Sequence, residues 1–341
     1  MFNNLQVESK LDIFKCLNFK QLTSFRQTNN YFNALIGRYE GELARKKFDK
    51  IEIIGNRFYR VCTYKSINNE DGVFKLKVTN QLMEKVNKRG LRYTLWWKSA
   101  VERQIPVYLI YTHCKSHEII RLYEGRNLSK VLDLPLIPRN VEEIKIIRCW
   151  IERISFCYFN NLDFVTSIFN PEIIKLIFDD EEIDKIKFNC HSCQYLCIRD
   201  ETVLKFYLNR LVIEESVTLR YDYYSSKKLK KDLFDILFKF VLKIPKVFIN
   251  DFMEATLCKL ILNHIETSKE NIISNQIRFG DLFDFLTLSE RAEFIEEYQG
   301  FHSSKYKYKL TNIHNQNVKF SIFIEEWYDH INQVYIDRIS E

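Results

Sequence analysis

The sequence predicts an α/β fold in which three short helices precede an irregular repeat of strand–helix units that curves as a solenoid and ends in a β-hairpin. Three observations support this prediction. The stretch from Leu5 to Ile36 is densely apolar and contains neither glycine nor proline. Short β-branched runs then alternate with helical stretches, and two segments near the C-terminus alternate in polarity with period two.

Length and composition limit the classes of protein that the chain can represent. The 341 residues suffice for two domains or one long repeat array, and we place them at 1–48 and 49–341, with a sub-boundary near 140. With 46% hydrophobic and 28% charged residues, the composition is that of a globular chain and excludes disorder. The net charge of +6 is spread along the sequence, which does not favour a nucleic-acid partner.

The N-terminus and the cysteines predict the compartment. The first 20 residues lack the basic start and apolar run of a signal peptide, and the sequence contains no stretch of 18 apolar residues. The nine cysteines are an odd number and lie scattered among apolar segments. We therefore expect a protein without a membrane span, cytoplasmic or nuclear, with reduced thiols.

The pattern of the first 48 residues predicts three amphipathic helices. Leu11, Phe14 and Leu17 repeat at helical spacing. Asn18 followed by Gln21 predicts a capping box for the second helix, and we place the cap of the third helix at Thr28. So small a unit has more apolar residues than its own core can hide, which predicts that another surface covers them.

This pattern resembles the F-box. The matching residues are Leu5, Glu8, Leu11, Ile13, Phe14, Leu17, Leu22, Phe25, Thr28, Tyr31 and Phe32. Gln6 stands where the family usually has proline, and Thr28 replaces a cysteine or serine. The segments QTNNYFNALI and YEGELARKKF are similar to F-box families expanded in nematodes.

The resemblance implies a substrate-recognition adaptor of a cullin–RING ubiquitin ligase. Such a protein binds a Skp-type subunit through its F-box and a protein target through the rest of the chain, without catalysis and without a cofactor. The Skp-binding residues that the resemblance implies are Leu5, Val7, Glu8, Leu11, Phe14, Leu17, Leu22, Phe25 and Phe32. The alternative is a non-catalytic protein-binding scaffold whose N-terminal helices only cap the repeat domain.

The strand–helix units follow from residue 145 onwards. Strand-like segments start at Lys145, Lys185, Leu211, Lys246 and Gln276, at irregular intervals of about 26 to 40 residues. Asn170 and Pro171 predict a helix start between them. We interpret these units as a degenerate solenoid like that of leucine-rich repeats, with a compact doubly wound α/β domain as the alternative. The segments KYKYKLTNI and VKFSIFIEEW predict the closing hairpin.

Candidate chemistry is sparse in this sequence. Cys190, Cys193 and Cys197 lie close together, but a second cysteine pair is missing, so we predict no metal. No phosphate-binding glycine loop and no hydrolase or zinc-protease motif occurs. We interpret Trp96 and Trp97 as core residues, and the acidic run from Asp179 to Asp184 as an exposed turn. The chain is therefore expected not to be an enzyme.

Overall fold

The computed structural model describes residues 5–39, 42–55, 91–110, 118–125, 127–198, 201–221, 231–250, 255–269, 274–282, 286–327 and 330–339. The helices in these ranges are α1 (Val7–Lys15), α2 (Phe19–Thr28), α3 (Asn30–Arg38), α4 (Leu91–Glu102), α5 (Val141–Ser155), α6 (Pro171–Ile177), α7 (Asp180–Ile183), α8 (Glu201–Leu208), α9 (Lys231–Val241) and α10 (Thr256–Thr267). The three predicted N-terminal helices are present as α1–α3.

The strands in the described ranges are β1 (Lys46–Gly55), β2 (Tyr108–Ile110), β3 (Glu118–Glu124), β4 (Asn127–Leu132), β5 (Cys157–Asp163), β6 (Ser167–Phe169), β7 (Phe188–Ile198), β8 (Leu211–Tyr221), β9 (Lys246–Asn250), β10 (Gln276–Leu282), β11 (Glu293–Gln299), β12 (Ser303–Thr311), β13 (Lys319–Trp327) and β14 (His330–Arg338). Twelve of them form one sheet, in the order β11-β12-β13-β14-β10-β9-β8-β7-β5-β1-β3-β4. The other two, β2 and β6, form a small antiparallel pair.

The predicted solenoid is wrong, because the large sheet is mixed. Strands β1, β5, β7, β8, β9 and β10 are parallel neighbours. Antiparallel strands extend this central part on both sides: β3 and β4 beyond β1, and β14, β13, β12 and β11 beyond β10. A leucine-rich-repeat solenoid stacks parallel strands alone, whereas here antiparallel strands extend the parallel centre at both edges.

The two strands of the predicted closing hairpin do pair, but they do not close the fold at an edge. These strands are β12 and β13, which pair from Ser303↔Trp327 to Thr311↔Lys319. Each also pairs on its other side, β12 with β11 and β13 with β14. The hairpin therefore lies inside the sheet, and β11 forms the edge.

One face of the sheet packs against helices. Phe159, Val217 and Ile277 point to that face and join one buried cluster with Trp150 of α5 and Ile261 of α10. Because side chains alternate along a strand, the intervening residues point the other way. We call this second side the polar face; its outward residues include Tyr158, His191, Glu214, Phe248, Arg278, Phe323 and Tyr335.

One predicted strand is a helix. The segment Lys145–Cys149 lies within α5, which begins after Asn140, whose side chain accepts a hydrogen bond from the Glu143 amide at 2.9 Å. Four isoleucines of this helix, Ile144, Ile147, Ile151 and Ile154, are buried at helical spacing. The period of burial therefore overrides the β-branched composition that suggested a strand.

The boundary between the N-terminal helices and the sheet lies close to residue 46. Residue 48, the predicted end of the first domain, falls within β1. This strand pairs with β3 on one side and β5 on the other, so the sheet continues across residue 140. Among the helices of the described ranges, none is long and apolar enough to cross a membrane.

Candidate docking site on the N-terminal helices

Side-chain caps define the turns between the three N-terminal helices. Asn18 accepts a hydrogen bond from the Gln21 amide at 3.0 Å, and the Gln21 side chain accepts one from the Asn18 amide at 2.9 Å. This confirms the predicted capping box. The cap of α3 is Asn29 and not Thr28, since Asn29 accepts from the Phe32 amide at 2.9 Å while the Thr28 hydroxyl donates back to the Phe25 carbonyl. Each cap satisfies an amide that a helix start would otherwise leave unpaired.

The three helices enclose a core of their own, separate from that of the sheet. Phe14, Phe25 and Phe32, one from each helix, meet edge to face with ring centroids 5.5 to 6.0 Å apart. Leu11, Leu22, Leu35, Ile36 and Leu43 complete this cluster. Edge-to-face rings contribute specific geometry in addition to buried area, so the triad fixes how the helices pack.

Most of the residues predicted to bind a Skp-type subunit contribute to this core. Leu11, Phe14, Leu22 and Phe32 are buried within the unit. Val7, Leu17 and Phe25 are partly buried against it. Leu5 and Glu8 are exposed. The structure thus divides the predicted set into residues that hold the helices together and residues that a partner can contact directly.

Two exposed apolar residues were outside the predicted docking set. Ile13 of α1 is 38% exposed, as much as Leu5, and Tyr31 of α3 is 47% exposed. Ser9 and Ile13 of α1 are exposed, as is Cys16 directly after it, and the three recur at helical spacing on the solvent side. On the other side of Tyr31, the Lys10 ammonium donates to its hydroxyl oxygen at 3.0 Å. The sequence could have identified Ile13, because on the helix α1 it lies beside the buried stripe of Leu11 and Phe14.

The cysteines weighed as metal ligands are buried thiols. Cys190, Cys193 and Cys197 belong to β7, with Cys190 and Cys193 in the main core. His191 projects from the polar face, on the opposite side of the sheet. Burial raises the pKa of the Cys190 thiol to about 12, which keeps it protonated and opposes metal binding. The described part of the chain contains no group of three or more metal-ligating side chains.

These burials predict an order of thiol reactivity. Among the cysteines of the described ranges, we expect Cys16 to be alkylated first by iodoacetamide at pH 8, because it is exposed and the others are buried. Cys190, Cys193 and Cys258 should react only after unfolding, since burial raises the pKa of each thiol. Mass spectrometry of the alkylated peptides measures the order. Rapid native alkylation of Cys190 would contradict this placement.

The remaining candidate residues take structural roles or lie outside the described ranges. Trp97 is buried in the main core, while the side chain of Trp96 is outside the described part. The acidic run forms α7, capped by Asp179, with Glu182 bound to Arg148 at 2.9 Å. The basic run KKLKK (227–231) lies largely outside the described residues, and the His/Cys segment HCKSH (113–117) lies wholly outside them.

Comparison with known proteins gives few matches. A family model described as a domain of unknown function (DUF8381) matches residues 67–222, which leaves α1–α3 outside the match. Among solved structures, the chain is similar to an S-adenosylmethionine-dependent methyltransferase from Clostridium acetobutylicum, at 8% identity, over 44% of this chain and 68% of that chain, with a TM-score of 0.11. A similarity of that size carries no argument about fold or activity. No curated protein matches.

Proposed function

We propose that this protein is the substrate-recognition adaptor of a Skp–cullin–F-box type ubiquitin ligase. In this proposal α1–α3 bind the Skp-type subunit, and the sheet region binds a protein target. The supporting observation is a three-helix unit with its own aromatic core that still exposes Leu5, Ile13 and Tyr31. Exposed apolar residues on a closed helical unit are what a docking module requires.

In the proposed mechanism, the protein acts by bringing its target close to a ubiquitin-charged enzyme. An adaptor raises the effective concentration of its target at a ubiquitin-charged enzyme and performs no bond chemistry itself. The proposal therefore needs no cofactor and no catalytic centre in this chain, and it places the protein in the cytoplasm or nucleus. The identity of the target depends on the surface of the sheet region.

Docking is expected to depend on the exposed apolar residues in α1 and just before it. Replacing both Leu5 and Ile13 by Asp should weaken binding of a purified Skp-type adaptor by about a hundredfold or more, because each change puts a charge into an apolar interface. Isothermal titration calorimetry of the two purified proteins measures the loss. Leu11 and Leu22 are unsuitable for this test, since charging either one would unfold the helices that carry the site.

The matched control is Ile137→Asp, at an isoleucine that is 39% exposed and precedes α5. It adds one of the same charges to an exposed apolar position outside the helical unit, and its affinity should stay within about twofold of the wild type. Equal affinity of the Leu5/Ile13 double variant and the control would contradict the assigned docking surface.

The second candidate is a protein-binding scaffold whose helices only cap the sheet. The observation that favours it is a contact between the two parts: the guanidinium of Arg45 donates to the Ser155 carbonyl at the end of α5, at 3.0 Å. A folded chain that binds no Skp-type adaptor, and that loses stability when the helices are removed, would favour this scaffold.

A further inference from the structure

The polar face carries one row of residues that differs from its surroundings. Pairing in register places Thr218, Phe248, Arg278, Tyr335, Phe323 and Lys307 side by side on six neighbouring strands, from β8 to β12. Neighbouring strands lie about 4.8 Å apart, so the row runs roughly 24 Å across the sheet. The residues before and after each aromatic one, such as Val247, Ile249, Val334 and Ile336, are fully buried on the helix side.

Arg278 lies between two aromatic rings in this row. Its guanidinium carbon is 5.3 Å from the ring centroid of Phe248 and 5.0 Å from that of Tyr335. Tyr335 in turn packs edge to face with Phe323 at 5.7 Å. Both distances from the guanidinium are within the range of cation–π attraction, so the rings hold the arginine in place.

The charge of Arg278 is not neutralised by the described residues. Its Nε is buried and has no hydrogen-bond acceptor, and no carboxylate in the described ranges pairs with its guanidinium. Asp337, on the next strand, accepts a hydrogen bond from Gln276 instead, at 2.8 Å. Gly280, two residues along β10, leaves the neighbouring position on this face without a side chain.

The lysines nearby are paired, which makes Arg278 distinct. Lys246 pairs with Glu215, Lys305 with Glu325, Lys307 with Glu296 and Lys309 with Glu293. The hydrogen bond from Lys307 lowers the pKa of the Glu296 carboxyl, as expected for a formed pair. Arg278 is therefore held between two rings, while Lys246, Lys305, Lys307 and Lys309 each pair with a carboxylate.

We propose that this row binds an acidic segment of a protein partner, with a carboxylate of the partner on the guanidinium of Arg278 and apolar side chains on Phe248, Tyr335 and Phe323. A guanidinium presents two parallel donors that match a carboxylate. One uncompensated positive charge balances one carboxylate, whereas a phosphate dianion would need further cations. The inference goes beyond the proposed function, because it holds whether or not α1–α3 dock.

The test is fluorescence anisotropy with the full chain alone and a labelled 12-residue peptide in which every second residue is serine and the positions between are alternately glutamate and valine, so that both types project from one side of the extended peptide. We expect saturable binding below about 1 mM, and at least tenfold weaker binding of the same peptide with glutamine in place of glutamate. R278Q should lose at least tenfold in affinity. R278K should lose most of the same affinity, since lysine keeps the charge but lacks the planar donor pair.

K309Q is the matched control, because it removes one positive charge that Glu293 already pairs on the same face. Its affinity should remain within about twofold of the wild type. Thermal melts of all variants show whether they are folded. The proposal is overturned if no saturable binding occurs, if R278Q binds as well as the wild type, or if a peptide with phosphoserine at the glutamate positions binds more tightly. The assay contains no Skp-type adaptor, so a negative result would not contradict the proposed docking function of α1–α3.

Discussion

Replacing Phe14 by Ala is expected to unfold the N-terminal helices while leaving the sheet intact. Phe14 is fully buried and contacts both Phe25 and Phe32 in the aromatic triad. Truncating a buried phenylalanine costs about 3–5 kcal/mol, which exceeds the stability that so small a unit can supply. Hydrogen exchange should show loss of amide protection across α1–α3, with protection in β5 to β9 unchanged.

The control for this variant is Ile13→Ala, one residue earlier on the solvent face of α1. Its effect on stability should stay within about 0.5 kcal/mol, because an exposed side chain loses little on truncation. If the helices remain protected in Phe14→Ala, the triad does not hold the unit together. The distinction between core and docking residues would then be wrong.

Replacing Trp150 by Ala is expected to destabilise the sheet region by about 3–5 kcal/mol. Trp150 lies on α5 and is fully buried in the main core, in the same cluster as Phe159 of β5. For a region of this size the loss should lower the melting temperature by about 5–10 °C, measured by circular dichroism. Because the clusters are separate, the protection of α1–α3 at temperatures below this transition should not change.

Trp327→Ala removes the same side chain from the end of β13, where it is 44% exposed. We expect a loss of only about 1–2 kcal/mol there, since nearly half of this side chain is already in solvent whereas Trp150 is fully buried. Similar losses in the two tryptophan variants would contradict the burial of α5 against the sheet.

Local features of this fold could be predicted from the sequence where a few neighbouring residues decide them. The reciprocal bonds of Asn18 and Gln21, and the start of α6 at Asn170 and Pro171, depend on residues within one turn. The strand β9 starts at the predicted Lys246, because Lys246 and Asn250 flank a short β-branched and aromatic run in which Val247 and Ile249 are buried. Such signals need no knowledge of the rest of the chain.

The architecture could not be predicted because it depends on distant pairings. The bounds of the strands do not reveal that β10 pairs with β14 and that β1 pairs with β3 and β5. A parallel repeat and a mixed sheet share the same local pattern in their strand–helix units. In α5 the β-branched content suggested a strand, although the spacing of its buried isoleucines is helical.

In the candidate sites, too, local features could be predicted from the sequence and long-range contacts could not. The apolar residues of α1–α3 were identified, but which of them face the core and which face solvent depends on how three helices pack. The outward position of Arg278 follows from alternation with Ile277 and Phe279, yet its aromatic neighbours come from strands about 30 and 57 residues away. Register between strands brings them together, and no local pattern encodes it.

Co-expression with a Skp-type adaptor, followed by size-exclusion chromatography, tests the proposed docking most directly. The full chain should co-elute with the adaptor at one-to-one stoichiometry. A chain lacking residues 1–39, which keeps the whole of β1, should elute without it. If the full chain elutes folded and without the adaptor, docking through α1–α3 is contradicted, and the helices serve as a cap on the sheet.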